Sequence, residues 1–135
     1  MQVYFGIMFP LTNLNYYKIG YSTNLAYNYK KFEVKLSANS IFSKGSGNYS
    51  LNLLGLGIGK KFSFLGLSFY EFLIFRKYQE FYEYGFNPSI SFSIQIGSKF
   101  SIKSENYYIF GNKRTLSLMA IQIGFKLWCG IENIF

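Results

Sequence analysis

Every side-chain carboxylate in this chain is a glutamate: Glu33, Glu71, Glu80, Glu83, Glu105 and Glu132. There is no aspartate, no histidine and a single cysteine, Cys129. Ser-His-Asp and Cys-His arrangements are therefore impossible. Zinc sites built on histidine, EF-hand loops and paired aspartates fall away with them. One cysteine cannot close an internal disulfide. Gly55-Leu56-Gly57-Ile58-Gly59-Lys60-Lys61 superficially resembles a phosphate-binding loop, but the Walker spacing is absent and no helical pattern follows. Its glycines fit close packing or a bulge. These residue types argue against an enzyme. The chemistry left to the acids is ionic: Glu33, Glu71 and Glu105 set against Lys18, Lys35, Lys103 and Lys126.

The elements that position these groups are strands. The longest unbroken apolar run is four residues, as in Phe72-Leu73-Ile74-Phe75, far from the ~20 that a membrane helix needs. No basic-then-apolar secretory signal opens the sequence. Apolar residues instead alternate with polar or small ones. Tyr17, Ile19, Tyr21, Leu25, Tyr27 and Tyr29 oppose Lys18, Gly20, Ser22, Asn24, Ala26 and Asn28. The same holds for Phe32, Val34, Leu36, Ala38 and Phe42 against Glu33, Lys35, Ser37 and Asn39. Ile90, Phe92, Ile94 and Ile96 oppose serines, and Ile121, Ile123 and Phe125 oppose Gln122, Gly124 and Lys126.

The pattern predicts eight strands, at 2–9, 15–29, 32–43, 48–59, 61–76, 81–97, 99–110 and 114–128, the last possible as far as 135. Two resist phasing. In 48–59, Tyr49, Leu51 and Leu53 fall on one face and Leu54, Leu56 and Ile58 on the other, which a bulge would reconcile. In 61–76 both faces are apolar, and Glu71 is the only acid. Tight connections are expected at Lys30-Lys31, Gly59-Lys60-Lys61 and Gly97-Ser98-Lys99, with longer ones near 10–14, 43–48, 76–81 and 110–115. Short and long connections that alternate around eight strands describe a single all-β domain, an antiparallel up-and-down barrel.

The polar residues bear on which face meets water. Charged residues are 15% of the chain, against ~25% in an ordinary soluble domain. The polar face is mostly Ser, Gly, Asn, Ala and Gln, small enough for the inside of a narrow eight-stranded barrel. The opposite face carries Leu, Ile, Val, Phe and Tyr, as lipid contact requires. Aromatics, 22% of the chain, cluster at strand ends. Tyr27, Tyr29, Phe32, Phe62 and Phe100 lie at the tight-turn end. Phe9, Tyr16, Tyr17, Phe42, Tyr49, Tyr78, Tyr82, Tyr84, Tyr108 and Phe110 lie at the other. Two such belts are expected at the two interfaces of a membrane barrel.

The eight alternating strands, the Lys-Phe turns and the stretch Ile121-Gln122-Ile123-Gly124-Phe125-Lys126-Leu127 resemble the small eight-stranded outer-membrane barrels of the OmpA/OmpX type. Phe135, preceded by Ile131, Leu127, Phe125 and Ile123 at alternate positions, resembles the terminal signal read by the outer-membrane assembly machinery; Asn133 departs from it. The resemblance implies a monomeric transmembrane barrel in the outer membrane of a Gram-negative-type cell envelope, with a structural or surface-interaction role and no cofactor. Its basic tight turns would face the periplasm. A soluble lipid carrier of the lipocalin or fatty-acid-binding type, and a narrow pore for small solutes, are the alternatives.

In such a barrel Lys18, Glu33, Lys35, Lys103, Glu105 and Lys126 point inward, Glu71 is assigned with them, and together they form an interior charge network that plugs the lumen. A pore lined by the same charges is the other reading. Lys44, Arg76, Lys77, Lys113 and Arg114 fall in the longer connections. There they either meet lipopolysaccharide phosphates or are solvated loop tips. The net charge of +8 does not predict nucleic-acid binding, because the aromatics share the face of Leu and Ile rather than that of the lysines.

Overall fold

The computed structural model describes residues 1–11, 17–29, 32–43, 49–78, 81–97, 100–110 and 115–126. Eight strands form: β1 (Gln2–Pro10), β2 (Tyr17–Tyr29), β3 (Phe32–Ser43), β4 (Tyr49–Phe62), β5 (Leu65–Tyr78), β6 (Phe81–Gly97), β7 (Phe100–Phe110) and β8 (Thr115–Lys126). Each pairs antiparallel with its chain neighbour, and β1 pairs with β8 to close the barrel. The all-β up-and-down architecture expected from the alternation is the observed one. Following partners around the wall from Gln2 leads through Ala26, Lys35, Gly57, Tyr70, Ser89, Ile109 and Leu116. The path reaches β8 ten residues away from Lys126, the partner of Gln2 on that strand. A stagger of that size tilts eight strands by about 40° and leaves an interior that side chains just fill.

Two connections differ from expectation. The β4–β5 turn is at Ser63-Phe64, not at Gly59-Lys60-Lys61, because the ladder continues through Lys61↔Gly66 and Phe62↔Leu65. Ser63 has φ 61°, the left-handed value that a two-residue II′ hairpin needs at its first position. The longer connection expected at 76–81 does not include 76–78 or 81, since Arg76, Lys77 and Tyr78 pair with Glu83, Tyr82 and Phe81. Arg76 and Lys77 are therefore strand residues of β5 and not loop residues. Residues Phe81–Pro88 of β6 pair with no described residue of β7, and the β6–β7 ladder begins at Ser89. Pro88, which has no N–H to offer, stands where it stops.

The two strands with unclear phase are regular. No bulge interrupts β4 in either of its ladders. Leu51 and Leu53 point in and Leu54, Leu56 and Ile58 point out, because the interior itself changes character along its axis. Near the longer connections it is apolar, with Met8, Ile41, Leu51, Leu53, Phe72, Ile74, Ile109, Leu116 and Leu118 all buried. Toward the tight turns it becomes polar. The glycines of β4 make room for rings on β5. A Cβ on Gly55 would stand 2.4 Å from the Phe72 ring, and one on Gly57 2.5 Å from that of Tyr70. The one register shift described in the β2–β3 ladder lies between Tyr17 and Gly20.

The outer wall is apolar and exposed. Phe32 and Phe42 both point outward from β3, 52% and 48% exposed. Their ten-residue separation on a tilted strand spans about 25 Å along the barrel axis. Phe62, Phe64, Phe100 and Phe125 lie toward the end of Phe32, and Phe75, Tyr84, Phe86 and Phe110 toward that of Phe42. Between them run Leu25, Leu36, Leu54, Leu56, Ile94 and Ile123.

Candidate functional site in the barrel interior

Glu105 is the centre of the polar half of the interior. It is fully buried and sits mid-strand on β7, where the alternation turns it inward with Lys103 and Tyr107. Its Oε2 accepts hydrogen bonds from Ser91 Oγ (2.7 Å), Tyr70 OH (3.1 Å) and Lys35 Nζ (3.4 Å). Its Oε1 accepts from Tyr107 OH (3.0 Å) and Asn24 Nδ2 (3.2 Å). Lys103 Nζ approaches Oε1 to 3.0 Å as an ion pair, and the same ammonium lies 3.8 Å from the centre of the Tyr4 ring. Partners thus converge from β2, β3, β5, β6 and β7 on one carboxylate. A buried charge is tolerated only with such pairing.

From Glu105 the charges run in a line toward the tight-turn mouth. Lys35 Nζ stands 3.4 Å from Glu105 and 3.2 Å from Glu33 Oε1. Glu33 Oε2 is 3.3 Å from Lys61 Nζ, which is partly exposed and also donates to Gln2 Oε1 at 3.2 Å. Lys103, Glu105, Lys35, Glu33 and Lys61 therefore alternate in sign from the interior to the surface.

Neutral groups complete the layer. Gln122 Nε2 donates to Ser22 Oγ at 2.7 Å, Ser22 to Asn39 Oδ1 at 2.5 Å, and Asn39 Nδ2 to Ser37 Oγ at 2.7 Å. Asn24 Nδ2 also reaches Tyr107 OH at 2.9 Å and Gln122 Oε1 at 3.3 Å. The Tyr4 hydroxyl lies between the side-chain oxygens of Gln2 and Gln95. Tyr4, Tyr107 and Lys103 are among the largest fully buried side chains, and Phe72, also buried, packs against Tyr107 from the apolar half. Chemically, the arrangement fixes charge and ties strands together. Each carboxylate oxygen is already engaged by donors or cations.

Of the residues expected in this network, Glu33, Lys35, Lys103 and Glu105 meet. Three do not. Glu71 points outward from the middle of β5 and is exposed, because its partners in the ladder are Leu56 and Pro88 on the outer face. Lys18, at the register shift of β2, and Lys126, at the end of β8, have the inward parity but are exposed where the strands end. The sequence reading missed Lys61, which it placed in a turn, and the tyrosines. Tyr107 shares the parity of Lys103 and Glu105, and that signal was available. Tyr70 became readable only with the phase of β5. Lys44, Lys113, Arg114 and the terminal Phe135 lie outside the described residues.

Comparison with protein-family models and with curated proteins finds no match to this chain.

Proposed function

We propose that this protein is an integral outer-membrane β-barrel with a structural or surface-interaction role, its lumen plugged by side chains and without catalytic activity. The observation that carries the reading is the inversion of the usual arrangement. An exposed apolar wall lies between two sets of aromatic residues about 25 Å apart, the height of the lipid-facing band of such barrels. Four charged side chains, Glu33, Lys35, Lys103 and Glu105, are meanwhile buried together inside. In lipid a closed barrel also satisfies every backbone group within the wall.

The filled interior speaks against a soluble lipid carrier, which needs a cavity where Tyr4, Phe72 and Tyr107 stand. It speaks equally against an open pore. The test is partition of the expressed protein between aqueous buffer and detergent micelles. Recovery in micelles with heat-modifiable gel migration is the expected result, and a monodisperse protein in detergent-free buffer overturns the proposal. Planar bilayers then separate plug from pore: no steady conductance is expected, and stable openings overturn the plug.

A further inference from the structure

We infer that the mouth at the tight-turn end is a binding site for a small oxyanion, a phosphate group above all. A cavity of about 480 Å³ opens there, and its polar lining is Lys61, Lys126, Gln2, Gln95, Ser63 and Ser93. Among the described residues no carboxylate lines it; Glu33 stands behind Lys61 and is buried.

The charge line explains why an anion belongs there. From Lys103 to Lys61 it holds three ammonium groups and two carboxylates. The line as a whole carries one net positive charge, and Lys61, paired with Glu33 yet partly exposed, is the member that reaches the cavity. Lys126 adds a second charge on the same lining. Lys61 and Lys126 supply charge-assisted donors, which are the stronger kind of hydrogen bond to phosphate oxygens. The Ser63 and Ser93 hydroxyls and the Gln2 and Gln95 amides supply neutral donors beside them. The outer-wall Lys60 is a different kind of lysine. Its ammonium lies 5.2 Å from the Phe62 ring centre, outside the mouth.

The ligand's phosphate has two sources, a free anion or the headgroup of an anionic lipid at the rim, and the experiment distinguishes them. Inorganic phosphate is titrated into the isotope-labelled, full-length barrel in zwitterionic micelles, and amide shifts are followed. Saturable shifts are expected at Gln2, Gly66 and Gln95. Lys126→Gln, which leaves the charge line intact, weakens the apparent affinity about tenfold, while Lys60→Gln leaves it unchanged. In the second arm, nanodiscs of phosphatidylglycerol are compared with phosphatidylcholine. The same amides shifting in phosphatidylglycerol, and losing that shift in Lys126→Gln, assigns the site to a lipid headgroup. Shifts that grow linearly with phosphate, or that Lys126→Gln and Lys60→Gln alter equally, overturn the site.

Discussion

Lys103 and Glu105 stand two residues apart on β7, both turned inward, with their charges 3.0 Å apart and no accessible surface beyond 2% on either side chain. Removing Glu105 strands Lys103, whereas removing Lys103 leaves Glu105 with Lys35 and its hydrogen-bond donors. Glu105→Ala leaves Lys103 and Lys35 in excess over Glu33 and is expected to cost about 3–5 kcal/mol. The double change Lys103→Met with Glu105→Leu is expected to cost less than the sum of the two single changes. Urea unfolding of the micelle-bound barrel, monitored by circular dichroism, measures both. Additive costs would show that the pair is not coupled.

Glu71 gives the opposite expectation. It is the acid described on the outer face, flanked in the ladder by Leu56 and Pro88, and no described cation pairs with it. Glu71→Leu is expected to stabilise the barrel by about 1–2 kcal/mol in a bilayer, since a carboxylate on the lipid face is unfavourable. Unfolding measured in liposomes checks this, and a loss of stability there would mean that the carboxylate has a partner in the membrane.

The glycine floor under the β5 rings predicts a steric penalty. Gly57→Val places branched carbons where the Tyr70 ring lies and is expected to destabilise by about 1–3 kcal/mol. Combining it with Tyr70→Ala returns space but loses the hydrogen bond to Glu105. The same unfolding assay should therefore find only part of the loss recovered.

The aromatic sets predict depth. In a Trp128→Phe background, Phe32→Trp should be quenched most by lipids brominated near the headgroup, and Leu36→Trp by lipids brominated deeper in the chain. Their four-position separation on β3 corresponds to about 10 Å along the axis. Equal quenching at the two positions would contradict the placement of Phe32 at an interface.

Strand number, order and the outward face were legible in the sequence because alternation of period two is a property of neighbouring residues. So were Glu33, Lys35, Lys103 and Glu105, which keep the parity of the small-residue face. Glu71 was not, because both faces of β5 are apolar. Its interior face packs Phe72 and Ile74 into the apolar half of the lumen, a feature that only the assembled barrel reveals. Lys61 was obscured by its neighbour Lys60, since two adjacent lysines read as a turn when they in fact divide between the outer wall and the mouth. Which strands would converge on Glu105 depends on the ten-residue stagger, and no single strand encodes it.

The closure of the wall has a kinetic consequence. Seven of the eight ladders join strands adjacent in the chain, so their hairpins can zip independently and early. The β1–β8 seam alone joins Gln2 to Lys126 and Pro10 to Leu118, across nearly the whole chain length, and contacts of such separation form slowly. Until that seam shuts, β1 and β8 both present unpaired backbone edges. The slow step in maturation of this barrel, and its window of vulnerability to mispairing with another chain, is therefore the meeting of its first and last strands.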